Sequence, residues 1–262
     1  MVEIWNTVLF EPMLNSLLFL YSLLGRSFGL SIIVFTVLVR ILTLPITWQQ
    51  MRSAKSSQEL QPKLQDLQKK YKNDREKLAQ EQMKLYKEAG VNPLGCLVPT
   101  LIQLPIWIGL YQSIINALPN NPLQLLNLAR HIYQQFPILP SLVPLNAHFL
   151  WLNLGRPDPY YALPILVVAT MWMQQKMMTA TTTDPQQQAM NQSMELMMPM
   201  MFGIITLQLA SGLGLYFVAT NVVGIVQQYF LSGWGSLATL FSGQRIPLRT
   251  TRPKGKDDGR KK

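Results

Sequence analysis

Thr36, Arg40, Thr43 and Thr47 stand at i, i+4, i+7 and i+11, which places four polar side chains on one face of a helix. Arg40 is the only charge in residues 27–51, an otherwise apolar stretch. At the centre of a membrane-crossing helix an arginine costs at least about 2.5–3.5 kcal/mol unless it meets water or protein. Other apolar stretches carry matching polar groups: Gln103, the pair Thr170 and Gln174, Thr206 and Gln208, and Thr220, Asn221, Gln227 and Gln228. Hydroxyls and amides of this kind commonly bind helices to one another, each contributing modestly. Arg40 needs a different account, because amides do not neutralise a guanidinium and none of the apolar stretches holds an acidic residue. The pattern points to a hydrated, positive pocket open to something anionic: a small anion, a lipid headgroup or an acidic peptide segment. No nucleophile–base pair or Gly-rich phosphate loop accompanies these residues, and one Cys and two His give no basis for a metal centre. The chain reads as a non-enzyme without cofactor or metal.

The elements that must position these residues follow from where charge is absent. The chain has 262 residues, 48% hydrophobic and only 14% charged, yet its formal net charge is +10. Residues 89–129, 159–175 and 196–244 carry no charge at all. A bilayer-crossing helix needs about 20 apolar residues, so these blocks predict an all-α integral membrane protein with five spans, at 28–50, 93–117, 159–178, 196–211 and 212–232. Residues 1–27 predict an amphipathic interfacial helix, a sixth span being the alternative, with Trp5, Phe10 and Tyr21 suited to the headgroup zone. The spans at 159–178 and 196–211 are short and predict local thinning of the bilayer. Ten of the fourteen methionines fall between 171 and 201, side chains suited to adaptable apolar contacts or to ordinary helix packing.

Charge asymmetry orients the chain. Ten Lys/Arg lie in residues 49–91 and eight after 243, with Lys176 between the third and fourth spans, against only Arg26, Arg130 and Arg156 on the opposite side. The positive-inside rule then puts the N-terminus outside and the C-terminus in the cytosol. Residues 51–92 predict a cytosolic helical hairpin, with Leu60, Leu64, Leu67 and Tyr71 forming a stripe, Asn73-Asp74 the turn and Gly90 the end. Pro62 reads there as the start of the first arm. Lys69, Lys70, Lys72 and Arg75 at its tip suit either a recruitment arm or a plain structural projection. Residues 118–158 read as an external Pro-rich loop, 179–195 as a cytosolic loop and 233–262 as a basic cytosolic tail. In that tail, Arg249, Arg252, Lys254, Lys261 and Lys262 suit anionic lipid or ribosomal RNA.

The order of several short motifs resembles the YidC-type membrane protein insertases, relatives of the Oxa and Albino insertases. The segments are 32–40 with Leu44-Pro45, Leu60-Gln61-Pro62-Lys63, Tyr86 with Asn92-Pro93-Leu94-Gly95, and Ile102-Gln103-Leu104-Pro105-Ile106. Asp158-Pro159-Tyr160-Tyr161 with Leu163-Pro164, then Ser211-Gly212-Leu213 with Leu215-Tyr216, complete the series. The resemblance implies five helices around a hydrophilic groove, open to cytosol and lipid and closed externally. It places the groove arginine on Arg40, the groove threonine on Thr36, the glutamine on Gln103 and aromatics on Trp107, Tyr216 and Phe217, where many members carry a second tyrosine in place of Phe217. Thr43 and Gln174 join the groove from helix spacing alone. The implied function is insertion and folding of transmembrane segments, alone or with the Sec translocon. The implied partners are nascent membrane-protein clients, the ribosome, the Sec translocon, the signal recognition particle receptor and the lipid bilayer. The implied site is the bacterial inner membrane, a thylakoid membrane being the alternative, and the length suits the short form of the family. A small-solute permease using Arg40 as an anion site and a membrane scaffold are the competing readings.

Overall fold

The structure, a computed structural model, describes residues 2–71, 74–90, 97–118, 122–133, 142–179, 185–234 and 237. It is mostly helical. The chain opens with α1 (Val2–Trp5), a π-helical turn (Asn6–Phe10) and α2 (Glu11–Leu23), which follow one another without a break. Gly25 and Arg26, both left-handed at φ 64° and 60°, end that run and turn the chain into α3 (Phe28–Leu42). Leu14, Leu17, Leu18 and Tyr21 recur on one face of α2 and are buried against Phe28 and Ile32 of α3. Leu110 and Ile114 of α6 (Leu97–Ala117) complete this core. The N-terminal helix therefore docks one side on the bundle, while Ile4, Val8, Phe19 and Leu23 face outward.

Residues 28–50 do not form one helix. α3 stops at Leu42; Thr43 follows at φ −85° and ψ −1°, its hydroxyl donating to the Val39 carbonyl at 2.9 Å. α4 (Leu44–Lys70) starts immediately, with Pro45 in its first turn, where a missing N–H costs nothing. α4 then runs through Pro62, so this proline lies inside the arm and does not start it. It sits on an exposed side, where water can meet the carbonyl that its missing N–H leaves unpaired. α5 (Arg75–Glu88) returns antiparallel, capped by Asp74, whose carboxylate accepts the Lys77 N–H at 3.0 Å. Lys69 and Lys70 are exposed at the tip, and Lys70 lies 5.3 Å over the Tyr71 ring. Arg75 opens α5, while Lys72, Asn73, residues 91–96 and the tail beyond 237, with Arg249, Arg252, Lys254, Lys261 and Lys262, lie outside the described residues.

After α6 come α7 (Pro122–His131) and a two-residue hairpin, β1 (His148–Phe149) with β2 (Leu152–Asn153), pairing Phe149 with Leu152. α8 (Ala162–Met178), α9 (Pro185–Gln208) and α10 (Ser211–Ser232) complete the fold, with α8 packed between α9 and α10, and α10 against α3. The stretch 179–195 is largely helix, not loop. α9 begins at Pro185 and includes Glu195, which is buried and pairs with Lys176 of α8 at 2.7 Å. Loop carbonyls close the end where α10 begins. Ser211 N donates to Arg156 O at 2.7 Å and Gly212 N to Leu154 O at 3.0 Å, satisfying donors that a helix start leaves free. Asp158 does the same for α8, accepting from Tyr160 N and Leu163 N. Among the described residues, Ser211–Phe230 is long and apolar enough to cross a membrane by length and composition, while Phe28–Leu42 is apolar but shorter.

Candidate functional site

A cavity of about 390 Å³ opens beside the α3–α4 break. The break positions its polar floor: Arg40 comes from the last turn of α3, Thr43 from the break itself and Thr47 from the first turn of α4. α6 contributes Gln103 and Trp107, and α8 contributes Gln174 with Met171 and Met178. From α10 come Tyr216, Phe217 and, further along, Asn221, Gln227 and Gln228. Gly224 lets α8 and α10 approach there, because a Cβ at that position would overlap the Gln174 carboxamide. One wall is aromatic. Phe217 stands 5.9 Å from Trp107, 5.6 Å from Phe202 and 5.7 Å from Tyr216, measured between ring centres.

Seven residues expected from sequence meet in this one space: Arg40, Thr43, Gln103, Trp107, Gln174, Tyr216 and Phe217. Thr36 does not. Its hydroxyl donates to the Ile32 carbonyl at 2.7 Å, and the residue is 1% exposed within the packed core. A shared helix face is not a shared depth, since one turn rises about 5.4 Å, and the face passes from core at Thr36 to cavity at Arg40. Asn221, Gln227 and Gln228, named above among the polar groups of the apolar stretches, also line the cavity. Their signal is an amide-rich stretch at the end of α10.

No carboxylate pairs with Arg40 among the described residues, where ion pairs join Lys77 to Asp74 and Lys176 to Glu195. Gln103 Nε2 donates to the Tyr216 hydroxyl at 3.3 Å, joining α6 to α10 across the cavity. Trp107 Nε1, Gln227 Oε1 and Gln228 Oε1 are buried and meet no protein partner among the described residues. Each such group costs about 1–3 kcal/mol while it stays unpaired. The described residues hold no cluster of His, Cys, Asp or Glu suited to a metal.

A family model described as "60Kd inner membrane protein" matches residues 19–235. The chain belongs to this family, that of the YidC insertases. Within the 60Kd inner membrane protein family, the membrane protein insertase YidC of Syntrophus aciditrophicus is 38% identical over 229 residues, covering 87% of this chain and 37% of that protein. The insertase YidC of Fusobacterium nucleatum is 36% identical over 211 residues, covering 80% of this chain and 88% of that protein. A solved structure described as "Active YidC insertase crystal structure with the first transmembrane domain resolved" shares the fold, with a TM-score of 0.56 and 24% identity. That likeness covers 84% of this chain and 46% of the solved one. The chain thus spans well under half the length of some 60Kd inner membrane protein relatives and most of others.

Proposed function

We propose that the chain is a membrane protein insertase whose cavity receives polar parts of a client while the client's apolar segment lies against lipid. The observation that carries this reading is Arg40, a cation lining a largely apolar cavity beside a few amides and hydroxyls, with no carboxylate partner among the described residues. Size argues the same way. A spanning helix about 10 Å wide and 30 Å long fills roughly 2,400 Å³, more than the cavity can enclose. Only a short polar stretch fits, so the apolar remainder must stay outside the cavity, in lipid.

The proposed setting is the bacterial inner membrane, with five spans, the hairpin and C-terminal tail in the cytosol and the N-terminus outside. The cationic hairpin tip and tail then face the ribosome, the Sec translocon or the signal recognition particle receptor. The cavity carries no chemistry beyond binding: the step is transfer of a chain between solvents, and no bond is made or broken. Purified protein in liposomes tests this. A single-span client should become protected from external protease only when the protein is present; equal protection in empty liposomes contradicts the proposal.

A further inference from the structure

The β1–β2 hairpin turns through Leu150 and Trp151, and Leu150 is left-handed at φ 55°. Two-residue hairpin turns favour Asn, Asp or Gly in that conformation, because a Cβ crowds the backbone there. The leucine finds no compensation inside the protein. It is 75% exposed, and Trp151 beside it is 49% exposed. A second left-handed residue, Tyr161 at φ 56°, precedes α8. Tyr161 is 60% exposed and its neighbour Tyr160 71% exposed. Two of four outward-facing apolar or aromatic side chains thus stand on a backbone conformation that neither residue type favours. Strain retained at an exposed position points to a role for that position.

The hydrogen bonds at the start of α10 fix the level of this patch. Ser211 and Gly212 donate to the carbonyls of Arg156 and Leu154, inside the segment that joins the hairpin tip to Tyr160. The apolar stretch of α10 is 20 residues long, about 30 Å at 1.5 Å per residue, which equals the hydrocarbon thickness of a bilayer. Its first residue therefore marks one hydrocarbon boundary, and residues 150–161 are tied to that boundary. At the opposite end of the same helix, Tyr229, Phe230 and Trp234 form a second aromatic cluster. Trp and Tyr concentrate at these two levels because their rings are apolar and their polar tips reach the headgroups.

We infer that Leu150, Trp151, Tyr160 and Tyr161 form an interfacial anchor, inserted at the headgroup–acyl boundary of the leaflet at the start of α10. The anchor sets the depth of the chain in the bilayer. Exposed Arg156, within the same segment, is placed to meet a lipid phosphate. This rests on the membrane-crossing reading of α10, and the test separates the two.

Leu150→Cys and Val222→Cys, each in a Cys96→Ser background, are labelled with an environment-sensitive fluorophore and reconstituted in phosphatidylcholine–phosphatidylglycerol vesicles. Quenchers are spin-labelled lipids, carrying the label near the headgroup or deep in the acyl chain, and aqueous iodide. The label at Leu150 should be quenched about twofold more by the shallow lipid than by the deep one and weakly by iodide, with the opposite depth order at exposed Val222. Strong iodide quenching at Leu150 with lipid quenching intact at Val222 overturns the anchor alone. Loss of lipid quenching at Val222 overturns the crossing reading itself. Shielding of Leu150 from both quenchers assigns the patch to a protein contact and also overturns the anchor. Leu150→Gly supplies a second readout: it relieves the left-handed strain, so stability in detergent should hold or rise, while lipid quenching of Trp151 should fall. Unchanged Trp151 quenching contradicts the inference.

Discussion

Gln227 Nε2 donates to the backbone carbonyl of Arg40 at 3.3 Å, tying α10 to the end of α3. That carbonyl lies in the last turn of α3, where the helix leaves its own acceptors unused. Arg40 is thus held through its backbone, and its side chain lines the cavity unpaired with any carboxylate among the described residues. A charge positioned this way acts on what enters the cavity.

Replacing Arg40 tests whether charge or fork geometry matters. A moving, variable client offers no fixed bidentate carboxylate, so Arg40→Lys should keep most insertion activity. Arg40→Ala should lower insertion of clients with acidic external segments about tenfold, the worth of one partly screened charge contact. Matched clients with neutral tails should lose less. Equal loss for both would make Arg40 a hydration or packing element.

The pair Lys176–Glu195 locks α8 to α9. Glu195→Leu alone should destabilise the protein by about 1–3 kcal/mol, below the range for a fully buried pair because Lys176 is partly exposed. Glu195→Leu with Lys176→Met should recover more than half of that loss, since neither position then carries a charge. Thermal unfolding of both variants in detergent measures the coupling.

A third test concerns packing at the closed end. A Cβ on Gly29 would overlap the Phe149 ring. Gly29→Ala should cost about 1–3 kcal/mol, and adding Phe149→Leu should return part of it. An unchanged melting temperature in the single variant would show that the hairpin moves aside freely.

The basic tail offers a salt-dependent test. Deleting 245–262 removes eight cations, so ribosome co-sedimentation should weaken most at low salt and its slope against salt should flatten. Identical curves for the two proteins would exclude a docking role.

How far residues predict this site depends on what each rule measures. Helical spacing of i, i+4 and i+7 put Arg40 and Thr43 on one face, because that signal follows from helix geometry. The same repeat misplaced Thr36, since spacing reports a face and not how far along that face the core extends. A proline inside a helix and one at its start look alike in sequence, and only the unbroken run from Leu44 to Lys70 places Pro62 inside the arm. The expected loop 179–195 includes Glu195 because its charge ends an apolar block, whereas its buried contact is to Lys176 on another helix. Long-range pairs such as Gln227–Arg40 leave no periodic trace in sequence.

The central claim is that the cavity around Arg40 holds the client. The most direct measurement places a photoreactive amino acid at Gln103, on the cavity wall, and at Ile165, on the exposed outer face of α8. Stalled nascent chains of a single-span client are then irradiated during insertion into membranes. Crosslinks should form at Gln103 through the polar segment flanking the client's span, and should be sparse at Ile165. Equal yields at the two positions, or crosslinks at Ile165 alone, would contradict the account.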